Sequence, residues 1–455
     1  MVDLKSVTTM MRVSRRGRTG LALVAAALTL SACGVIGGKG GPKTPTVGNR
    51  VSILSNDASV KIDEATAAQT LILPPATVNA NWSQSGGNAS KMMNHVALGT
   101  ARSPLWTASI AGNSSKQRLA SSPVVDGNRL YVIDTDAVVK AFAADTGAPL
   151  WSAAIGSTGK DFKPSLFGGG VSADGAVVYA TSGVGDVVAL NAADGAAIWK
   201  VRPAGPLRGA PTIAFGSVFV IGQDNQIFAL NAADGTVQWQ ESASLEAGSV
   251  FGAGSPAAGQ GTIVAGFSSG EVQAYRYENG RNLWDDALAR TSIALSVSTL
   301  TDVDADPVID RGRVFALGQG GRMASYELVT GQRLWEISIA GISTPWVAGE
   351  WVFVMTDDAR LLCASRANGK IKWIAQLQRF RVEKKKKDPI RWTGPLLAGG
   401  RLIAVNSEGQ LVELSPEDGA VLATQKLSGP SSQSPIVANN ILYVLTDDGR
   451  ISAWR

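Results

Sequence analysis

Residues 189–195 read ALNAADG, and the same seven letters return at 229–235, each copy followed four residues after its glycine by a tryptophan, Trp199 and Trp239. Aligning on that phrase recovers AFAADTGAPLW (141–151), AYRYENGRNLW (274–284), SYELVTGQRLW (325–335) and ASRANGKIKW (364–373). A decayed copy, ELSPEDGAVLA (413–423), carries Ala423 in the tryptophan place. A chain that repeats itself at this spacing is built from stacked units, none of which buries its own faces alone.

Upstream of each phrase lies a β-rich run such as RLYVID (129–134) or SVFVIG (217–222). Before most runs sits a proline: Pro123, Pro211, Pro256, Pro307, Pro345, Pro395 and Pro435; the second unit has Gly169-Gly170-Val171 instead. Short alternating apolar runs predict strands, and the DG, TG and NG pairs predict tight hairpins that need positive φ at glycine. Four short antiparallel strands per unit, repeated, describe an all-β fold, an eight-bladed β-propeller. The last unit, SPIVANNILYVLTDDGRISAWR (434–455), stops after three strands. Its missing outer strand is predicted to be SPLWTASI (103–110), with Trp106 in the tryptophan place, so that the ring closes without a long open edge. The tryptophans are expected to be structural wedges between blades.

The N-terminus has a different character. RVSRRGR (12–18) is basic, LALVAAALTLSA (21–32) is apolar but too short to span a bilayer as a helix, and Cys33 follows. This is a signal peptide, and Leu30-Ser31-Ala32-Cys33-Gly34 resembles the bacterial lipobox, which implies diacylation of Cys33. Gly34 and Val35, where an aspartate would favour the inner membrane, imply sorting to the outer membrane. The domains expected are a lipoprotein signal peptide at 1–32, an acylated cysteine and flexible tether at 33–78, and the propeller at 79–455. The formal charge of +5 is a poor guide to partners, since Lys5, Arg12, Arg15, Arg16 and Arg18 against Asp3 supply +4 of it before Cys33. Cys363 is then left without an intramolecular partner, and no disulfide framework exists.

The Ala-x-(Asn/Asp)-Ala-x-(Thr/Asp)-Gly-x-x-x-Trp phrase resembles the repeat of the quinoprotein-alcohol-dehydrogenase-like propellers. A lipobox ahead of eight such blades resembles the BamB family, lipoproteins of the outer-membrane β-barrel assembly machinery. Two stretches, PLRGAPTIAFG (206–216) and LTDVDADPVIDRGRVFALGQGG (300–321), resemble family segments that contact the barrel-forming subunit BamA. The resemblance implies that Leu207, Arg208, Asp302 and Asp304 bind the partner. A further leucine of the family pattern is Gly205 here. It also implies a monomer within a hetero-complex on the periplasmic face of the outer membrane, with unfolded outer-membrane proteins as clients. Arg208 lies three residues before Pro211 and Asp304 three before Pro307, so both are expected in connections from an outer strand to the next inner one. Such connections share one face of a propeller, and the four residues are expected to be exposed there.

Catalytic signals are weak. GFSSG (266–270) matches G-x-S-x-G, but the motif needs a strand-to-helix turn and Ser268 falls in a hairpin. The only histidine, His95, has no obvious acid near it. Asp302-x-Asp304-x-Asp306 resembles the start of a calcium loop, but Pro307 and Arg313 stand where glycine and glutamate belong. No adjacent cysteine pair and no CxxCH site is present to support quinone or haem chemistry. A non-catalytic scaffold with no cofactor or metal is therefore expected; the alternatives are a quinone-dependent dehydrogenase-like periplasmic enzyme and a freestanding envelope-binding module. RFRVEKKKKDPIR (379–391) is the one strong charge block, read either as a solvated loop or as a contact of Lys384, Lys385, Lys386 and Lys387 to anionic lipid or an acidic protein face. It lacks the aromatic interleaving of a nucleic-acid site.

Overall fold

The computed structural model describes residues 60–100, 103–156, 169–244, 254–288 and 301–455. Its strands form eight four-stranded antiparallel sheets and one two-stranded hairpin. Blade one comprises Val124–Asp126, Arg129–Ile133, Val138–Ala143 and Pro149–Ala154, and the next six blades repeat that meander. Blade eight comprises Ile436–Ala438, Ile441–Leu445 and Arg450–Trp454, with Pro104–Ser109 as its outer strand. The predicted all-β propeller and its closure by an N-terminal strand are both borne out. Buried apolar residues gather between adjacent blades, as between blades two and three, where Tyr179, Val187 and Ala189 meet Val218, Val220 and Phe228.

The repeated phrase is a turn held by its own Asn and Asp side chains. In ALNAADG at 229–235, Asn231 Oδ1 accepts from the Ala233 amide at 2.9 Å, and Asp234 Oδ1 accepts from Thr236 N at 2.9 Å. Gly235 takes φ +74°, which an L side chain adopts at a cost, and a Cβ there would sit 2.7 Å from Cε3 of Trp199. The glycine thus serves both the turn and the close approach of the tryptophan from the preceding blade. Trp199 lays its ring on this turn and donates its indole N–H to the Ala232 carbonyl at 3.0 Å. Trp106, Trp151, Trp239, Trp284, Trp335 and Trp373 make the same bond to the turn of the next blade. On its own sheet each of the repeat tryptophans faces a small residue, as in Ala229↔Trp239, Ser325↔Trp335 and Cys363↔Trp373. Cys363 is therefore the small member of a packing pair, and burial pushes its thiol pKa well above the ordinary range.

Blade seven breaks this pattern for a geometric reason. Its outer-strand tryptophan would lie on the turn between the third and fourth strands of blade eight. There the two strands come from opposite ends of the chain, and Ser103 and Arg455 exchange backbone hydrogen bonds of 2.7 and 3.0 Å in place of a covalent turn. Ala423 stands where no turn exists to receive a ring. Opposite it the small residue is replaced by Glu413, which pairs with Arg401 at 3.0 Å.

Residues 79–100 contribute no blade strand. They run across one end of the channel and bond to the inner strand of every blade. Asn79 O accepts from Asn439 N in blade eight, and Trp82 exchanges backbone bonds with Val125 in blade one. Ser83 O accepts from Ala173 N in blade two, and the Gln84 amide exchanges two 3.0 Å bonds with Ile213 in blade three. Ala89 O and Ser90 O accept from Ala258 N and Ile309 N in blades four and five. Asn94 O accepts from the Trp346 indole in blade six, and Val96 O accepts from Gly399 N in blade seven. Ser85 and Lys91 reach inward to Asp306 Oδ2 at 2.6 Å and Thr212 Oγ1 at 3.1 Å. Ahead of this segment, a one-turn helix, Glu64–Ala67, capped by Asp63, lies against the outer strand of blade six.

Candidate docking face

The connection into blade three and the connection into blade five meet. Arg208 Nη2 donates to Asp302 Oδ1 at 2.7 Å and to Asp304 Oδ1 at 2.9 Å, and approaches the Val303 carbonyl at 3.3 Å. The two predicted segments are thus brought together, by a bond between them. Their exposure corrects the expectation. Leu207 and Arg208 are 0% exposed and Asp302 is 2% exposed, while the Asp304 side chain keeps 16%. Leu207 belongs to the apolar cluster between blades two and three. Its backbone bridges to Gly222, while Arg208 N donates to Ile221 O and Arg208 O accepts from Gly169 N. These ties pull the side chains inward, so Leu207, Arg208 and Asp302 shape the connection and do not present themselves to solvent. Gly205 and Pro206, next in the chain, are exposed. Nothing would meet a Cβ placed on Gly205 within 4 Å.

The remaining candidates take structural places. Ser268 is buried in its hairpin turn, where its amide and hydroxyl donate to Asn225 Oδ1 at 3.0 and 2.7 Å. His95 Nδ1 donates to the Pro74 carbonyl at 2.8 Å and Nε2 accepts from Gly400 N at 2.8 Å, which fixes the tautomer and occupies both nitrogens. Asp302 and Asp304 turn to Arg208, whereas Asp306 accepts from Ser85 Oγ and Ser255 N, so the three carboxylates do not converge as a cation loop requires. Residues 379–391, expected as a loop, contain a hairpin of Phe380–Val382 and Lys387–Pro389 with Lys384 to Lys387 exposed around its tip. Cys33 lies outside the described residues.

Known proteins place this geometry in a family. The family model described as outer membrane protein assembly factor BamB matches residues 135–375 and 377–454. The chain is 29% identical over 349 residues to the protein of that name from Escherichia coli (strain K12), covering 76% of this chain and 87% of that protein. Among solved structures it is similar to BamB from Moraxella catarrhalis, with a TM-score of 0.63 at 19% identity over 78% of this chain and 98% of that one. It is also similar to quinohemoprotein alcohol dehydrogenase from Comamonas testosteroni, with a TM-score of 0.62 at 14% identity over 83% and 81% of the two chains, a likeness of fold alone. Repeat, ring and family model agree over most of the chain, and the protein belongs to the BamB family of outer membrane protein assembly factors.

Proposed function

We propose that this chain is a non-catalytic scaffold of the outer-membrane β-barrel assembly complex, assisting the folding and insertion of outer-membrane proteins. In this reading Cys33 is acylated, the propeller hangs on the periplasmic face of the outer membrane, and the face formed by residues 205–208 and 301–304 docks on BamA. The observation that carries it is the Arg208–Asp302–Asp304 cluster, which joins 94 and 96 residues of sequence separation at the two segments that resemble partner-binding ones. Arg208 Nε and Nη1 and Asp302 Oδ2 find no partner among the described residues. A buried pair with polar atoms left over is a poor source of net stability compared with apolar packing. Its worth lies in fixing the two connections against each other. Arg208 is then a positioning residue, and the contact surface is Gly205, Pro206, Thr301 and the exposed edge of Asp304.

Gly205→Glu tests the docking face. The new side chain enters open space, so the melting temperature should stay at the wild-type value. Its charge and bulk should weaken copurification with BamA about tenfold or more, as a central interface change does. Wild-type copurification would place the interface elsewhere. The anchor is tested separately by metabolic labelling with a fatty-acid probe, which should mark the wild type and leave Cys33→Ser unmarked.

A further inference from the structure

The stretch between blades six and seven is ordered without being buried. Residues 381–389 are all exposed, yet Phe380 pairs with Pro389 and Val382 with Lys387. A 3-10 turn at Glu383–Lys385 leads to Lys386 at φ 49°. Local bonds hold this arm. The Glu383 carboxylate accepts from Arg379 N and Phe380 N at 3.0 and 3.1 Å, Ile390 N donates to Arg379 O at 2.9 Å, and the Trp392 indole donates to Gln378 O at 2.9 Å. Leu377, Ile390 and Trp392 are buried at its base. Arg381 pairs with Glu408 at 2.7 Å. Counting Glu408 with Glu383 and Asp388 against Arg379, Arg381, Lys384, Lys385, Lys386, Lys387 and Arg391 leaves the arm at +4.

Four consecutive lysines surround a tight turn, and all four are exposed. Such point charges on long stems suit a diffuse anionic surface, whereas a shaped carboxylate site favours the planar fork of arginine. Val382 is 38% exposed beside them, an apolar group placed for the boundary of headgroup and acyl chain.

The path of the chain selects the surface. The arm follows Ile371–Gln376, the outer strand of blade six. The described N-terminal residues join the ring on that same strand, where Ile62 pairs with Ile371 and Lys370 pairs with Asp63 at 3.1 Å. The strand between them is about 20 Å long at the usual rise. Cys33 lies 27 residues before Val60 in the sequence, a length of chain that can reach at most about 95 Å. An acyl group on Cys33 and the arm can therefore engage one membrane together. We infer that the hairpin at 379–391 is an electrostatic contact to anionic phospholipid headgroups, through Lys384, Lys385, Lys386 and Lys387. The choice of lipid over an acidic protein rests on the anchored reading of Cys33.

The test uses the unacylated chain from Gly34 onward, which retains the closed ring, and so does not depend on acylation. It is mixed with vesicles of phosphatidylcholine alone, or of phosphatidylcholine with about one third phosphatidylglycerol. Sedimentation should capture the chain on the anionic vesicles only, and capture should fall as salt rises. Each lysine near such a surface contributes about fivefold in binding, so replacing Lys384, Lys385, Lys386 and Lys387 by glutamine should weaken it by roughly a hundredfold or more. Equal capture of wild type and variant, or no capture of wild type at low salt, overturns the inference. If vesicles capture neither form but the variant loses copurification with the assembly complex, the arm is a protein-docking element and the lipid assignment is wrong.

Discussion

Arg208 is the largest side chain with no solvent contact in the described chain, and it sits between two aspartates from a different blade. Truncating one partner of a buried pair leaves the other charge uncompensated, which costs about 3–5 kcal/mol. Arg208→Ala should therefore lower stability by that amount in chemical denaturation, and adding Asp302→Ala should restore part of the loss because the two sites couple. An unchanged denaturation midpoint for the single variant would show the pair to be idle. The spacing of Pro211 and Pro307 is enough to bring these residues to one place, but it leaves them on the surface. Charged residues default to the surface, and it is backbone ties that turn these inward, those of 207 and 208 to Gly222, Ile221 and Gly169 and those of 302 and 303 to Gln319 and Phe267. Ala423 was legible as a decayed copy. Its cause, a missing turn in the neighbouring blade, has no trace in the letters around it.

At the scale of elements, the blades were legible because seven of the eight carry the same tryptophan and seven the same turn chemistry. The segment across the channel was not. It meets eight different inner strands through a different set of one or two backbone or side-chain bonds each time, so it carries no period, and its polar letters resemble a loop. Its inward-facing Lys91 has a measurable consequence. Burial depresses the Lys91 pKa to about 8, opposed by the Asp306 carboxylate. Between about pH 8 and the ordinary lysine value of 10.5 the unfolded chain binds the proton and the folded chain does not. Stability then rises with pH across that window, and the cost of burying the charge is complete below it. Lys91→Met removes this titration while leaving the other groups in place. The stability of wild type relative to the variant should increase by about 2–3 kcal/mol from pH 7 to pH 10. Parallel pH profiles would mean that Lys91 stays charged in the channel or is hydrated there.

At the largest scale, the eight blades form a ring held shut at one seam. Blade eight joins Pro104–Ser109 to Arg450–Trp454 in the same register as the other blades, with Trp106 opposite Ala453 as Trp151 is opposite Ala141. The local contacts also match: Trp106 and Trp151 each donate an indole bond of 3.0 Å to the turn of the next blade. Either tryptophan replaced by alanine should cost about 3 kcal/mol, the low end for a ring that is only partly buried. The two sites differ in how their strands are tied to the chain. The strand carrying Trp151 continues from its neighbour through a covalent turn, whereas at the seam only hydrogen bonds and packing hold the outer strand to the C-terminal one. Trp106→Ala should therefore release residues 103–110 to proteolysis and amide exchange well before the blades open, and Trp151→Ala should not release 149–154 in the same way. Deleting 101–111 should carry this to its limit, leaving the edge of Arg450–Trp454 unpaired and the chain prone to aggregate or to melt in a broad transition. A deletion variant that melts as sharply as wild type, with Trp106→Ala and Trp151→Ala indistinguishable in exchange, would show that the ring does not depend on its seam.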